Sequence, residues 1–300
     1  MVKRSISNNL ADSPPFTQKR CGLLVSVRCP EEAQLALGYA IDVLDLKEPR
    51  AGALGAVSEA IVEKVVQLVE QVNLEQPPKL SLAMGELVDW DFERWPTLLD
   101  RYQSYPIGGF RFLKIGLAGA QQLSDWQADW SKLFAGLPES TQPVVVAYLD
   151  RLPEVLESFG ASNDSGDRCP SIEQLIEFAQ SQPRVSTILL DTWGKQGDLF
   201  ASVSDRRLRE IIAAANWAGL AVAVAGSVKI DSLQRVSQAG ASMVGVRGAV
   251  CAGDRRGQLC EQKLREFCQR MIEVNPYPPD FGMPHSKAPE LWRAQLRRHL

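Results

Sequence analysis

Asp42-Val43-Leu44-Asp45-Leu46-Lys47-Glu48-Pro49-Arg50-Ala51-Gly52-Ala53-Leu54-Gly55-Ala56 begins as a buried strand and ends in a glycine-bearing loop. Its early residues are apolar and leucine-rich, as a strand covered on both faces requires. Side chains alternate along a strand, so Asp45 and Lys47 share one face while Leu44 and Leu46 share the other. Charges on the inner face of such a strand are costly unless they are compensated. Two matters follow: which sheet holds this strand, and what the charges do there.

The pattern repeats on both sides. Short apolar runs at 23–27, 41–46, 80–84, 110–115, 144–149, 187–190, 221–225 and 243–246 alternate with helical patterns at 31–37, 59–69, 96–102, 123–134, 172–180, 205–218, 232–239 and 262–273. The unit length of about thirty residues is that of a ~250-residue βα-barrel. The fold class is therefore α/β, a single-domain (β/α)8 TIM barrel over residues 21–274. A doubly wound open sheet is the alternative, and the even unit length favours closure. Residues 1–20 are polar with Pro14-Pro15 and read as a flexible N-terminal arm. Residues 158–170 read as a flexible loop after the fifth strand. Residues 275–300, Pro-rich and then basic, read as a C-terminal extension packed on the barrel or on a neighbouring subunit.

With 300 residues and a formal net charge of -3, the chain presents no electrostatic case for a nucleic-acid partner. No apolar run approaches the ~18 residues of a membrane span. The first twenty residues lack the apolar centre of a secretory signal, so cytoplasm is the expected compartment. The six cysteines include no C-x-x-C pair and read as reduced packing thiols, so no metal site is expected. Neither a P-loop nor a G-x-G-x-x-G turn follows the first strand, and no cofactor is expected. A homo-oligomer is expected. The only two histidines, His285 and His299, lie in the C-terminal tail. The body must then run acid–base chemistry on Lys, Asp, Glu, Tyr or Cys.

In a barrel of this kind the active site forms at the C-terminal strand ends. Strand two delivers Asp45 and Lys47 there. Strand four delivers Lys114, within Phe112-Leu113-Lys114-Ile115-Gly116, and strand six ends in Asp191 with Lys195 four residues on. Each lysine alone could belong to a structural ion pair. Gathered in a partly apolar mouth, they instead provide the setting that lowers a lysine pKa and frees an amine to attack a carbonyl. Strands seven and eight end in Ala225-Gly226-Ser227 and Gly245-Val246-Arg247-Gly248, where this fold cradles phosphate. Gly226, Ser227, Arg247 and Gly248 are the candidate phosphate ligands. The loop bearing Gly52 and Gly55 is a second anion site or a lid, and the anion site is preferred. The residues alone thus point to a metal-free, cofactor-free enzyme that forms a lysine imine with a small phosphorylated aldehyde or ketone.

The motifs DLKEPRAGALGA, FLKIGLAG, LLDTWGKQG, AGSVK and GVRGAVC, in that order, resemble those of the (5-formylfuran-3-yl)methyl phosphate synthases. These are also called 4-(hydroxymethyl)-2-furancarboxaldehyde-phosphate synthases, and they act in methanofuran biosynthesis. The resemblance runs from about Gly22 to about Cys268. It implies a TIM barrel and a lyase that condenses two glyceraldehyde 3-phosphate molecules, with loss of one phosphate and two waters. It implies Schiff-base formation at Lys47, acid–base work at Lys114, and an active-site place for Asp191 and Lys195. Asp45 is assigned to orient or buffer Lys47 on geometry alone. A one-carbon role follows from the resemblance. The arm, the 158–170 loop and the tail depart from the family pattern and leave assembly open. Another class I aldolase acting on triose phosphates, or a non-catalytic barrel, are the competing readings.

Overall fold

Each apolar run becomes a strand, and the strands close in chain order into one parallel barrel. They are β1 (Gly22–Val27), β2 (Val43–Leu46), β3 (Lys79–Glu86), β4 (Phe112–Gly116), β5 (Gln142–Tyr148), β6 (Thr187–Asp191), β7 (Ala221–Val224) and β8 (Met243–Val246). β8 pairs back onto β1 with Leu24 opposite Gly245, which leaves no strand edge open. This computed structural model describes residues 20–72, 74–103, 105–153, 168–194 and 197–274. The arm at 1–19, most of the 158–170 loop, Lys195 and the extension at 275–300 lie outside the described residues.

The outer ring comprises α1 (Pro30–Leu37), α2 (Glu59–Gln71), α3 (Leu98–Arg101), α4 (Trp126–Leu133), α5 (Ile172–Ser181), α6 (Leu199–Ser202), α7 (Asp205–Trp217), α8 (Leu233–Gln238) and α9 (Glu261–Val274). Each longer helix lays one stripe on the barrel. α2 buries Val62, Val65 and Val66, and α7 buries Leu208, Ile211, Ile212 and Ala215. Residues three and four apart share a face, and each buried branched side chain contributes roughly 1.5–3 kcal/mol. The caps fix where helices start. The Asp125 carboxylate accepts the Ala128 N–H at 3.0 Å, so α4 begins at Trp126 and not at 123. The helix expected at 96–102 shrinks to the one turn of α3, closed by a Thr97–Asp100 capping box.

Long-range ion pairs tie the ends of the barrel. At the bottom, Arg20 grips Asp42 with two N–H groups at 3.0 and 2.7 Å, and Asp42 also takes the Leu23 N–H. β3 departs from a plain strand. It pairs Ser81 with Phe112, Ala83 with Lys114, and then Glu86 with Gly116, so one extra residue is absorbed between Ala83 and Glu86. All six cysteines are free thiols. Among the described residues no helix is long and apolar enough to cross a membrane.

Candidate active site

β2 does what its alternation requires. Leu44 and Leu46 are buried toward the helices, while Asp45 points into the barrel. Asp45 stands in register with Ser26 on β1 and Ser81 on β3. Its carboxylate accepts the Ser26 hydroxyl at 2.9 Å and the Lys114 ammonium at 2.5 Å. Lys114 starts from β4 and crosses β3 to reach Asp45. The small side chains of Ser81 and Ala83 leave that path open. Exposure rises from Asp45 (0%) through Lys114 (4%) to Lys47 (9%), so Lys47 is the member nearest the rim. Burial alone would raise the Asp45 carboxyl. The ammonium groups of Lys114 and Lys47 outweigh it and hold Asp45 below the ordinary aspartate value.

On the opposite wall, β5 and β6 bring Tyr148 beside Asp191 in register. Asp191 is fully buried and accepts the Thr192 N–H at 2.7 Å. Asp150 pins the loop that follows, taking the Trp193 and Gly194 N–H groups at 2.6 and 2.7 Å. That loop leads to Lys195.

Glu86 was not foreseen. Strict alternation from Ser81 and Ala83 would turn Glu86 outward. The extra residue, supplied by Gly85 at φ 91°, turns it inward. Tyr148 donates its hydroxyl to Glu86 Oε1 at 2.6 Å. Burial first, then repulsion from Asp89 and Asp191, pushes the Glu86 carboxyl up to about 8, which the Tyr148 hydroxyl and the Ala118 N–H only partly offset. Burial and the neighbouring Glu86 together hold Tyr148 well above the ordinary phenol range. The one sequence signal was Gly85, directly after the apolar run at 80–84; once the strand is seen to continue to Glu86, it is a glycine within a strand, which marks a bulge.

The loops after β7 and β8 show which phosphate candidates are available. Gly226 has φ 86° and Ser227 φ 58°, two successive residues in the left-handed region. A side chain at 226 would meet the Thr192 N at 2.6 Å, so this loop packs tightly on the end of β6. Ser227 is a residue type that enters this region at a cost of about 1–2 kcal/mol, the kind of strain that gathers at functional sites. Gly248 opens a short 3-10 turn beside Arg255.

Arg247 turns out to be a brace. Its guanidinium holds Glu32 at 2.5 and 3.0 Å and the carbonyls of Ser26, Arg255 and Gly257 at 2.9–3.0 Å. All five of its N–H groups are thereby engaged within the fold. Glu32 lies in α1, so the brace fastens the end of β8 to the start of the barrel. Arg255 is the cation that does reach the mouth. It donates to the carbonyls of Pro49 and Gly52 at 2.6 and 2.5 Å, and the Asp191 and Tyr148 groups lie within its electrostatic reach. Among the described residues its Nε and Nη1 take no acceptor. Gly55 serves loop closure: a side chain there would strike the Glu48 carbonyl at 2.4 Å, while the Glu48 N–H binds the Gly55 carbonyl at 2.8 Å. Gly52, at φ 122°, turns its carbonyl to Arg255.

The sequence profile of the 4-HFC-P synthase family matches residues 23–268. The chain is similar to the (5-formylfuran-3-yl)methyl phosphate synthase of Methanosarcina acetivorans, 29% identical over 252 residues, covering 82% of this chain and 99% of the relative. A protein of the same name from Methanothermobacter thermautotrophicus is 26% identical over 249 residues, covering 82% and 96%. Among solved structures, phosphoribosyl anthranilate isomerase from Thermus thermophilus superposes with a TM-score of 0.52 at 13% identity, covering 84% of this chain and 99% of that one. A 3-hexulose-6-phosphate synthase from Salmonella typhimurium gives 0.50 at 12% identity, covering 84% and 99%. At such identities these structures speak for the barrel alone.

Proposed function

The chain belongs to the 4-HFC-P synthase family, and from that premise we propose that it condenses two molecules of glyceraldehyde 3-phosphate into (5-formylfuran-3-yl)methyl phosphate, a step toward a methanofuran-type cofactor. The observation that carries this reading is the buried Lys47–Asp45–Lys114 group on the inner face of the barrel. Lys114 is ion-paired with Asp45, and Lys47 stands one step nearer the rim.

In this reading the Lys47 amine attacks a triose aldehyde and water leaves, giving an imine that acidifies the adjacent carbon. Lys114 and Asp191 move protons, so that this triose becomes an enamine nucleophile. The enamine attacks the aldehyde of the second triose. Elimination of one phosphate, ring closure and loss of two waters follow, and hydrolysis of the product imine takes back the water lost at its formation, frees Lys47 and completes the balance. Lys195 joins the proton-moving groups on the strength of the family motif. The substrate phosphates are placed against the Gly226–Ser227 turn and Gly248, with Arg255 as the cation. Arg255 also ties the Gly52 loop to this rim, so that loop is a wall of the phosphate site.

Incubation with glyceraldehyde 3-phosphate alone tests the reading. It predicts a product absorbing in the near ultraviolet, with one phosphate released per furan formed. A sugar phosphate without phosphate release would instead mark a plain triose-phosphate aldolase.

A further inference from the structure

We propose that Glu86 is the proton donor for the dehydrations at this site, giving its carboxyl proton to the departing hydroxyl, with Tyr148 as the hydroxyl through which the proton returns. The inference rests on the furan-forming reading above.

The geometry is specific to this pair. The bulge at Gly85 reverses the direction of one side chain, and that side chain is Glu86. Room for it exists because residue 116 is glycine. A Cβ at 116 would fall 1.7 Å from Glu86 Oε2, so the carboxyl occupies that space. Gly116 lies two residues beyond Lys114 on the same face of β4, which sets the Glu86 carboxyl just above the Lys114–Asp45 pair. Tyr148 holds the other oxygen at 2.6 Å.

The charges around the two carboxyls differ in sign. Asp45 faces the ammonium groups of Lys114 and Lys47 and is held ionised. Glu86 faces Asp89 beyond its own strand, Asp191 on β6 and the Tyr148 hydroxyl on β5. Tyr148 in turn faces Asp191 and the Cys169 thiol, and Arg255 from the loop after β8 lies toward Tyr148 and Asp191. Two carboxyls driven apart in this way divide the acid and base roles.

Each dehydration then balances. The C–H electron pair becomes the new C=C bond, and its proton goes to Asp191, which stands beside Tyr148 in register. The C–O pair leaves with the oxygen, which takes the Glu86 proton and departs as water, and the O–H pair stays on Glu86 as carboxylate. Tyr148 passes its hydroxyl proton to Oε1 and accepts the proton taken from carbon, which restores both groups.

The test uses Glu86→Gln and Tyr148→Phe in the full chain, with folding checked by circular dichroism. Borohydride with glyceraldehyde 3-phosphate should trap the Lys47 imine in Glu86→Gln as it does in the wild type. Furan formation should fall by roughly 10²–10⁴-fold. The wild-type rate should decline above about pH 8, where Glu86 gives up its proton. In Tyr148→Phe this decline should move to higher pH, because the hydroxyl bond is one of the groups holding Glu86 down. Glu86→Gln turnover within about threefold of wild type, or loss of trapping in a folded Glu86→Gln protein, would overturn the assignment. So would an unmoved alkaline limb in Tyr148→Phe, which decides the matter alone if Glu86→Gln does not fold. Absence of trapping in the wild type would strike the Lys47 reading itself, and the wild-type control separates the two failures.

Discussion

Replacing Asp45 by Asn isolates the interaction on which the barrel interior depends. Asparagine keeps the shape and one acceptor, so the Ser26 hydroxyl retains a partner, but the charge opposite Lys114 is gone. Both side chains of that ion pair are almost wholly buried, at 5% and 1% exposure, and water cannot take the lost partner's place. Breaking a buried pair from one side costs about 3–5 kcal/mol, and the retained acceptor argues for the lower end, about 3 kcal/mol. For a domain of this size that is a fall of roughly 6–12 °C in Tm. Removing both charges, as Asp45→Asn with Lys114→Met, should recover most of the loss, because no unpaired ion is left inside. The pH dependence has a definite sign. The folded-state pKa of Asp45 lies below 3.8, so its contribution is present above that value and is lost as pH falls below it. The gap between wild type and Asp45→Asn should therefore be constant from about pH 5 upward and close in stronger acid. Urea unfolding of the wild type, Asp45→Asn, Lys114→Met and the double variant at pH 7 and pH 3.5 measures this. A loss under about 1 kcal/mol in Asp45→Asn, or a double variant whose loss is the sum of the single ones, would refute the reasoning.

The two arginines after β8 should separate cleanly. Arg247→Met removes the two-pronged partner of the buried Glu32 carboxylate, which keeps the Arg28 guanidinium at 3.4 Å and the Arg28 and Leu259 N–H groups, and should destabilise the fold by about 3 kcal/mol in urea unfolding. Arg255→Met should leave stability within about 1 kcal/mol while raising the KM for the triose phosphate tenfold or more, read from initial rates. Gly116→Ala should displace the Glu86 carboxyl and slow furan formation at least tenfold, with imine trapping at Lys47 unchanged. Glu86→Gln should also alter the pH dependence of stability. The raised carboxyl holds a proton that the unfolded chain releases, so the wild type loses stability between about pH 4.5 and about pH 8. The variant does not, and its advantage should grow by up to about 1.4 kcal/mol per pH unit across that window in denaturant titrations.

The barrel was legible because its signal is repeated: eight apolar runs, each followed by an amphipathic helix, with no strand ambiguous enough to break the count. Asp45, Lys47 and Lys114 were legible for a local reason, since period-two alternation settles which way each points. The same rule failed at Glu86. A single positive-φ glycine shifts the parity of β3, and the register that reveals the shift is set by the neighbouring strand. Arg247 invited a phosphate reading because glycines surround it in sequence. Its true partner, Glu32, is 215 residues away in the chain and comes close only when β8 meets β1. Arg255 sits in a polar loop with nothing local to distinguish it, and closure of the barrel alone brings it to the carbonyls of Pro49 and Gly52.

The most direct test of the Lys47 chemistry is mass spectrometry of the protein reduced with borohydride in the presence of glyceraldehyde 3-phosphate. A single covalent triose-derived adduct should map to the peptide containing Lys47 and vanish in Lys47→Arg, which keeps the charge but forms no imine. An adduct on Lys114, or unchanged trapping and turnover in Lys47→Arg, would contradict it.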